Sequence, residues 1–157
     1  MIRLFGLVSL LLLTAIPLAA TEVTGKTMYA GHYWNEDRSG IFELRLTEQS
    51  IKGVTVWGKD PKTDMHNPKP ELRDRSLAGI EFLWGFTYEA KKNRWSDGKV
   101  YDPDNGKTYE AKMSLEREGT ILKMRGFIGV SLFGRTARFE RVDAGEFPAD
   151  MAEPSTE

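Results

Sequence analysis

The chain contains no cysteine, so no disulfide can stabilise it and a zinc site built on thiolates is excluded. Its two histidines, His32 and His66, are too few for a three-histidine zinc centre. Positive charge is not in excess, because 22 Lys and Arg are balanced by 23 Asp and Glu. Binding to nucleic acid needs a basic face and is not expected. The 157 residues suffice for one domain stabilised by a hydrophobic core.

A long apolar run occurs only at the N-terminus of the sequence. Arg3 precedes an apolar stretch from Leu4 to Leu13, and small residues lead up to Ala20. This is the pattern of a secretory signal peptide over residues 1–20, and we expect cleavage after Ala20. An N-terminal membrane anchor is the alternative, but a spanning helix needs about twenty apolar residues. The sequence therefore predicts a periplasmic or secreted protein with no membrane span after cleavage.

From residue 41 onward apolar and polar residues alternate with a period of two, which is typical of strands with one solvated face. Strands are predicted over residues 42–47, 51–57, 77–88, 95–101, 108–115, 121–127 and 135–142. Such a series predicts an all-β fold, an up-and-down antiparallel meander that closes into a barrel, with a β-sandwich as the alternative. The domain covers residues 31–142 after a lead-in over 21–30, and the acidic residues 143–157 are predicted to form a flexible tail.

One long segment interrupts the strands, from Gly58 to Ser76. It contains three prolines and many charges, and proline cannot donate to a strand ladder. It is predicted to be a surface loop, either functional or a solvated insertion without a role. His66 within it is expected to be solvated, and a metal site that combines His66 with Asp60 or Asp64 is the alternative.

The segment Asp102–Gly106 reads Asp-Pro-Asp-Asn-Gly, which is typical of a tight hairpin turn. Its carboxylates are also potential ligands for calcium. A calcium loop continues with oxygen ligands at set offsets, but Gly106 and Lys107 occupy those positions here. We therefore predict a turn and no metal site.

The segment Gly129-Val130-Ser131-Leu132-Phe133 begins like the nucleophile elbow of a serine hydrolase. The elbow needs a final glycine, where this chain has Phe133, and a strand-to-helix turn that the pattern does not predict. Turn glycines between the last two strands are the better explanation. No catalytic set and no cofactor motif is identified, so the protein is predicted not to be an enzyme.

The most apolar alternating series contains Phe82, Trp84 and Phe86, which the period of two places on one face. If that face is internal, the candidate lining of a barrel interior consists of Phe82, Trp84, Phe86, Tyr109, Met113 and Met124. A small barrel is either filled by such side chains or holds one small ligand. Soft, large side chains such as Met, Trp and Phe would accept an apolar ligand.

Three segments in the second half carry a family resemblance. The first runs from Asn67 to Gly79 and contains Arg73 and Arg75-Ser76; the second is Tyr101–Tyr109, after Trp95 and Gly98; the third is Gly126–Thr136. With these segments the chain from Gly31 to Val142 resembles the bacterial domain-of-unknown-function family 2147. The resemblance implies a small exported protein with a lipocalin-like (calycin) barrel, and it implies no reaction.

The resemblance also concerns the first strand. Lipocalins have a Gly-x-Trp element there, and its tryptophan packs under an arginine of the last strand. The corresponding residues here are Gly31-His32-Tyr33. The resemblance therefore implies that Tyr33 packs under Arg138 or Arg141.

Two functional hypotheses follow. The first is a non-catalytic, lipocalin-like binder of a small, largely apolar ligand. The alternative is a periplasmic protein-interaction module with a filled barrel, which would contact an envelope protein through the Gly58–Ser76 loop and the acidic tail. The interior volume discriminates between them, because a ligand pocket needs several hundred cubic ångströms.

Overall fold

The computed structural model describes residues 25–151, which form one antiparallel sheet of nine strands. The predicted signal peptide, its cleavage site and residues 152–157 lie outside the described residues. The strands are β1 (Gly31–Trp34), β2 (Gly40–Leu46), β3 (Ile51–Gly58), β4 (Glu81–Trp84), β5 (Thr87–Glu89), β6 (Arg94–Asp102), β7 (Lys107–Glu116), β8 (Ile121–Phe127) and β9 (Arg135–Glu140). Three-residue 3-10 helices lie at Thr27–Tyr29, Pro70–Leu72, Ala90–Lys92, Arg117–Gly119 and Ser131–Phe133. Within 25–151 no helix has the length and apolar character needed to cross a membrane.

The strands pair in the order β1, β2, β3, β4, β6, β7, β8, β9, and β5 pairs with β6. The first and last strands then approach each other. Tyr33 forms a bridge with Arg141, and the amide of Val142 donates to the carbonyl of His32 at 2.9 Å. The sheet is therefore a nearly closed barrel. This confirms the predicted all-β meander and barrel, and the sandwich alternative is not adopted.

Because neighbouring strands are antiparallel, their connections alternate between the two ends of the barrel. We call one end the mouth, and it carries the connections 35–39, 59–80, 103–106 and 128–134. We call the other end the base, and it carries 47–50, 90–93, 117–120 and the lead-in to β1. The two longest loops, 59–80 and 128–134, thus lie at the same end.

One arginine closes the base. The guanidinium carbon of Arg141 lies 4.7 Å from the centroid of the Tyr33 ring, and the guanidinium donates to the Tyr33 hydroxyl at 2.6 Å. It also donates to the backbone carbonyls of Met28, Ala30 and Gly119. The packing of Tyr33 under an arginine is thus confirmed with Arg141. Arg138 instead pairs with Glu116 at 2.9 Å on the outer face.

Residues 143–151 pack against the outside of the barrel. Phe147 and Met151 of this segment belong to an outer apolar cluster whose other members are Trp34, Ile41, Val56, Trp57 and Val142. Asp150 also accepts a hydrogen bond from the indole of Trp57 at 3.1 Å. The tail that we predicted to be flexible is therefore attached to the barrel over residues 143–151.

Candidate functional site

Five of the six candidate lining residues face the barrel interior. Those that pack in or against the main core cluster are Phe82, Phe86, Met113 and Met124. Tyr109 lies opposite Val100 on the inner face, near the mouth, and its hydroxyl accepts from the side-chain amide of Asn105 at 3.0 Å. The sequence therefore identified five inner residues but missed others of the core cluster, such as Leu44, Trp95 and Leu122.

Trp84 lies on the outer face, contrary to the prediction. It faces Lys99 across the β4–β6 pair, while the preceding residue, Leu83, is fully buried in the core. The period of two fails here for two reasons. The register shifts where β3 pairs with β4, and Gly85, with φ of +74°, ends β4 before β5 begins. The single strand predicted over 77–88 is therefore two strands, and Trp84 does not line the interior.

The inner residues pack closely against one another at two glycines. A Cβ at Gly98 would overlap the ring of Phe86, and a Cβ at Gly53 would lie 3.2 Å from the ring of Phe82. Each ring thus occupies the space above a glycine of a neighbouring strand. A glycine inside a strand marks such a close approach, so Gly53 and Gly98 were the sequence signals for this packing.

Trp95 is the largest side chain in this core, and it is fully buried. Its ring centroid lies 6.3 Å from that of Tyr29 and 5.0 Å from that of Tyr88. Within residues 25–151, no acceptor lies within hydrogen-bonding distance of its indole nitrogen. Buried donors are normally paired, so this unpaired indole N–H is a group from which a ligand oxygen could accept a hydrogen bond.

Two hollows are present on the surface, and both lie outside the barrel interior. The first, of about 360 Å³, is lined by Lys112, Met113, Ser114, Lys123, Arg125 and Thr136 on β7, β8 and β9. The second, of about 410 Å³, lies at the mouth and is lined by Pro61, Lys62, Thr63, Met65, His66, Leu77, Pro103 and Asp104.

The 59–80 loop is held to the barrel by a buried carboxylate, which the sequence did not predict. Asp64 has 0% exposure, and one of its oxygens accepts from the Tyr101 hydroxyl at 2.5 Å. The other accepts from the Asn67 amide at 2.7 Å and from Arg75 at 2.8 and 2.9 Å. We call these four residues the Asp64 clamp. The loop is thus an ordered surface element fixed to β6.

The electrostatics of the clamp favour the charged carboxylate. Burial acts to raise the pKa of Asp64, but the hydrogen bonds from Tyr101, Asn67 and Arg75 outweigh it and the pKa is lowered. Burial and the hydrogen bond to Asp64 raise the pKa of Tyr101 to about 12. Tyr101 therefore remains protonated and Asp64 ionised at neutral pH, so the clamp is not poised for proton transfer.

The predicted turn at Asp102–Gly106 is confirmed and supports the same loop. The amide of Gly106 donates to the carbonyl of Asp102 at 2.8 Å, and Gly106 has φ of +69°. A Cβ at Gly106 would overlap the carbonyl oxygen of His66. Glycine is required here both for the positive φ and for the approach of the loop.

No group of three or more His, Cys, Asp or Glu in residues 25–151 could hold a metal ion. His66 is exposed, as predicted. His32 lies on the outer face of β1, and its ring centroid is 5.1 Å from that of Phe147. Burial lowers the pKa of His32, so it is neutral at pH 7.

The segment that begins like a nucleophile elbow forms a 3-10 turn, Ser131–Phe133, between β8 and β9. It is not a strand-to-helix turn, as expected from the sequence. Unexpectedly, it exposes large apolar side chains, namely Ile128, Val130, Leu132 and Phe133. The sequence interpretation as turn glycines gave no reason for this exposure.

The family model described as an uncharacterized protein conserved in bacteria, DUF2147, matches residues 31–141. Among solved structures, the barrel is similar to protein HP1028 from the human pathogen Helicobacter pylori, which is described as a member of the lipocalin family. The two share 22% identity over 74% of this chain and 84% of that chain, with a TM-score of 0.65. At that identity the likeness shows the fold. No curated protein matches the chain.

Proposed function

The chain belongs to the bacterial family DUF2147, and from that premise we propose that it is an exported, non-catalytic interaction module with a filled lipocalin-like barrel. Its binding surface for another protein of the cell envelope is the 59–80 loop with the adjoining β6–β7 turn at the mouth. The observation that carries this proposal is the packing of the inner rings onto strand glycines. A Cβ at Gly98 would overlap the ring of Phe86, which supports an interior occupied by side chains rather than by a ligand.

The mouth supports binding because its long loop is ordered before any partner arrives. The Asp64 clamp fixes the 59–80 loop, and Gly106 lets the β6–β7 turn approach it. The loop then presents the exposed Met65 beside a hollow of about 410 Å³. An ordered surface binds with a smaller loss of conformational entropy than a mobile one.

A ligand screen tests the filled interior. We expect that fatty acids and fluorescent lipids change neither the melting temperature nor the tryptophan emission of the wild-type protein. The informative indole is that of Trp95, because Trp84 lies outside. The Phe86→Ala variant is the matched positive control, since it opens a cavity over Gly98 that a small apolar molecule would enter.

In-cell cross-linking tests the mouth. A photo-reactive amino acid at Met65 is expected to give a discrete adduct in intact cells. The same amino acid at Gln49, exposed at the base, is the control and is expected to give none. Equal labelling from both positions, or from neither, would contradict a partner surface at the mouth.

The second candidate is the binding of a small apolar ligand inside the barrel, among Phe82, Phe86, Tyr109, Met113 and Met124. The observation that favours it is the buried indole N–H of Trp95 without an acceptor, which a ligand oxygen would satisfy. Entry would require the ring of Phe86 to leave Gly98. A ligand in hundredfold excess over its Kd would then stabilise the protein by about 2.7 kcal/mol.

A further inference from the structure

Exposed large apolar side chains concentrate in the loop between β8 and β9. Six such residues occur within 25–151, and four of them lie in this loop: Ile128 at 68%, Val130 at 59%, Leu132 at 80% and Phe133 at 83% exposure. Singly exposed apolar residues are ordinary, but a contiguous group marks a contact site. We call residues 128–133 the apolar tip.

The apolar tip is held in its exposed conformation by Arg125 of β8. The guanidinium donates to the carbonyl of Ser131 at 2.8 Å and to that of Leu132 at 3.0 Å. It also donates to the hydroxyl of Thr136 on β9 at 2.8 Å. A loop fixed in this way cannot fold its apolar side chains back onto the barrel. The exposure of these side chains is therefore set by the hydrogen-bonded conformation of the loop.

Positive charge lies directly behind the tip, on the outer face of β7 and β8. Lys112 stands opposite Arg125, and the next outward position of β8 is Lys123, which faces Ser114. Like charges directly opposite each other on a sheet repel. Among the described residues neither Lys112 nor Arg125 has a carboxylate within ion-pair distance. The carboxylate of Glu110, nearest along β7, pairs with Lys99 at 3.2 Å.

The same residues form the hollow of about 360 Å³, which is lined by three cations and two hydroxyl groups. Lys123 pairs with Glu116 at 3.0 Å, so Lys112 and Arg125 are the two cations of the lining without a carboxylate partner among the described residues. This is the chemistry of a phosphate site. Arginine has five N–H donors, and Arg125 uses three of them within the protein, so two remain for an external anion.

We infer that the apolar tip and this cationic hollow dock the protein on a bilayer surface that contains anionic phospholipid. Leu132 and Phe133 insert at the interface, and Lys112 and Arg125 contact the lipid phosphate. A bilayer presents an apolar layer followed by a phosphate layer, and the protein presents an apolar tip followed by cations. That complementarity favours a membrane over a protein partner, which would be expected to bring carboxylates to unpaired cations.

Vesicle flotation tests the inference with the purified exported protein. We expect co-flotation with vesicles of phosphatidylcholine and phosphatidylglycerol, and much weaker binding to phosphatidylcholine alone. The double variant Leu132→Ser/Phe133→Ser should reduce the partition coefficient by roughly tenfold or more, because apolar area is no longer buried. Its melting temperature should stay at the wild-type value, since both side chains are exposed.

Charge variants separate the two parts of the site. Lys112→Gln should weaken binding to phosphatidylglycerol vesicles and reduce the salt dependence, with no effect on phosphatidylcholine. The matched controls at the base are Met28→Ser, which removes an exposed apolar side chain, and Lys91→Gln, which removes an exposed cation. Both controls should bind as wild type.

Three results would overturn the inference. The first is absence of the wild-type protein from both vesicle fractions. The second is unchanged binding of the Leu132→Ser/Phe133→Ser variant. The third is a wild-type dimer in solution that this variant converts to monomer, because the tip would then be an interface between two copies of the chain.

Discussion

Replacing Asp64 by Asn tests whether one buried charge holds the 59–80 loop in its ordered conformation. The substitution keeps the shape of the side chain but removes its charge and puts an NH2 group where one oxygen stood. The remaining oxygen can still accept from the Tyr101 hydroxyl. The NH2 group would face the donors of Asn67 and Arg75, and all three contacts with them would be lost.

The magnitude of the destabilisation follows from the loss of these contacts with Asn67 and Arg75. A hydrogen bond to a charged group contributes about 1.5–3 kcal/mol. Arg75 is 39% exposed, so water replaces part of its lost interaction and the contribution of that ion pair is discounted. We expect Asp64→Asn to reduce the free energy of unfolding by about 2–4 kcal/mol. Asp74→Asn, at an exposed position of the same loop, is the matched control and should change it by less than about 0.5 kcal/mol.

The pH dependence of the free energy of unfolding gives an independent test of the contribution of the Asp64 charge. The folded-state pKa of Asp64 is lowered, so its stabilising effect is complete above the unfolded pKa, about 4, and is lost as pH falls through the folded value. Urea unfolding of wild type and Asp64→Asn should therefore differ at pH 7 and converge in acid. Cleavage of the loop by trypsin should be faster in the variant. Equal stability at pH 7 with unchanged cleavage would refute the clamp.

Three further predictions concern other parts of the chain. Gly106→Ala should destabilise the protein by more than about 1 kcal/mol in urea unfolding, because of the positive φ and the overlap with His66; calcium should not change melting, and a calcium-dependent rise would reveal a metal site at this turn. Phe86→Ala should reduce the unfolding free energy by about 3–5 kcal/mol, whereas a loss below about 1 kcal/mol would indicate an interior that was already hollow. Mass analysis of the exported protein should find its N-terminus at Thr21, and intact Met1 would contradict the signal peptide.

The period of two predicted the strands wherever register is regular. The hairpins of β7 with β8 and of β8 with β9, whose registers are uninterrupted, lie where alternation places them. The prediction failed at Trp84, because a register shift exchanges the two faces of a strand and leaves no mark in the alternation itself. The glycines that receive the inner rings, Gly53 and Gly98, were visible in the sequence. The rings that pack against them were not visible, because the contacts of Phe82 with Gly53 and of Phe86 with Gly98 do not follow from local spacing.

The prolines of the 59–80 loop correctly predicted an irregular surface segment, but composition did not reveal its order. The bond between Asp64 and Tyr101 joins residues 37 positions apart. A single carboxylate in a charged loop looks like any other solvated charge until the fold brings a donor to it. The sequence also failed to predict the exposure of Phe133, because an apolar residue near a strand is expected to be buried.

The ordering of the loops supports the proposal that contacts are made at the mouth. Connections at the base are short turns, whereas the two longest loops share the mouth and each is fixed by a charged side chain, Asp64 in one and Arg125 in the other. Placing a carboxylate in a fully buried position is unfavourable unless several donors meet it, and an exposed Phe133 contributes nothing to folding. Stability alone would be served by shorter loops. A barrel that nonetheless maintains two ordered loops at one end suits the proposed role of a scaffold for contacts outside it.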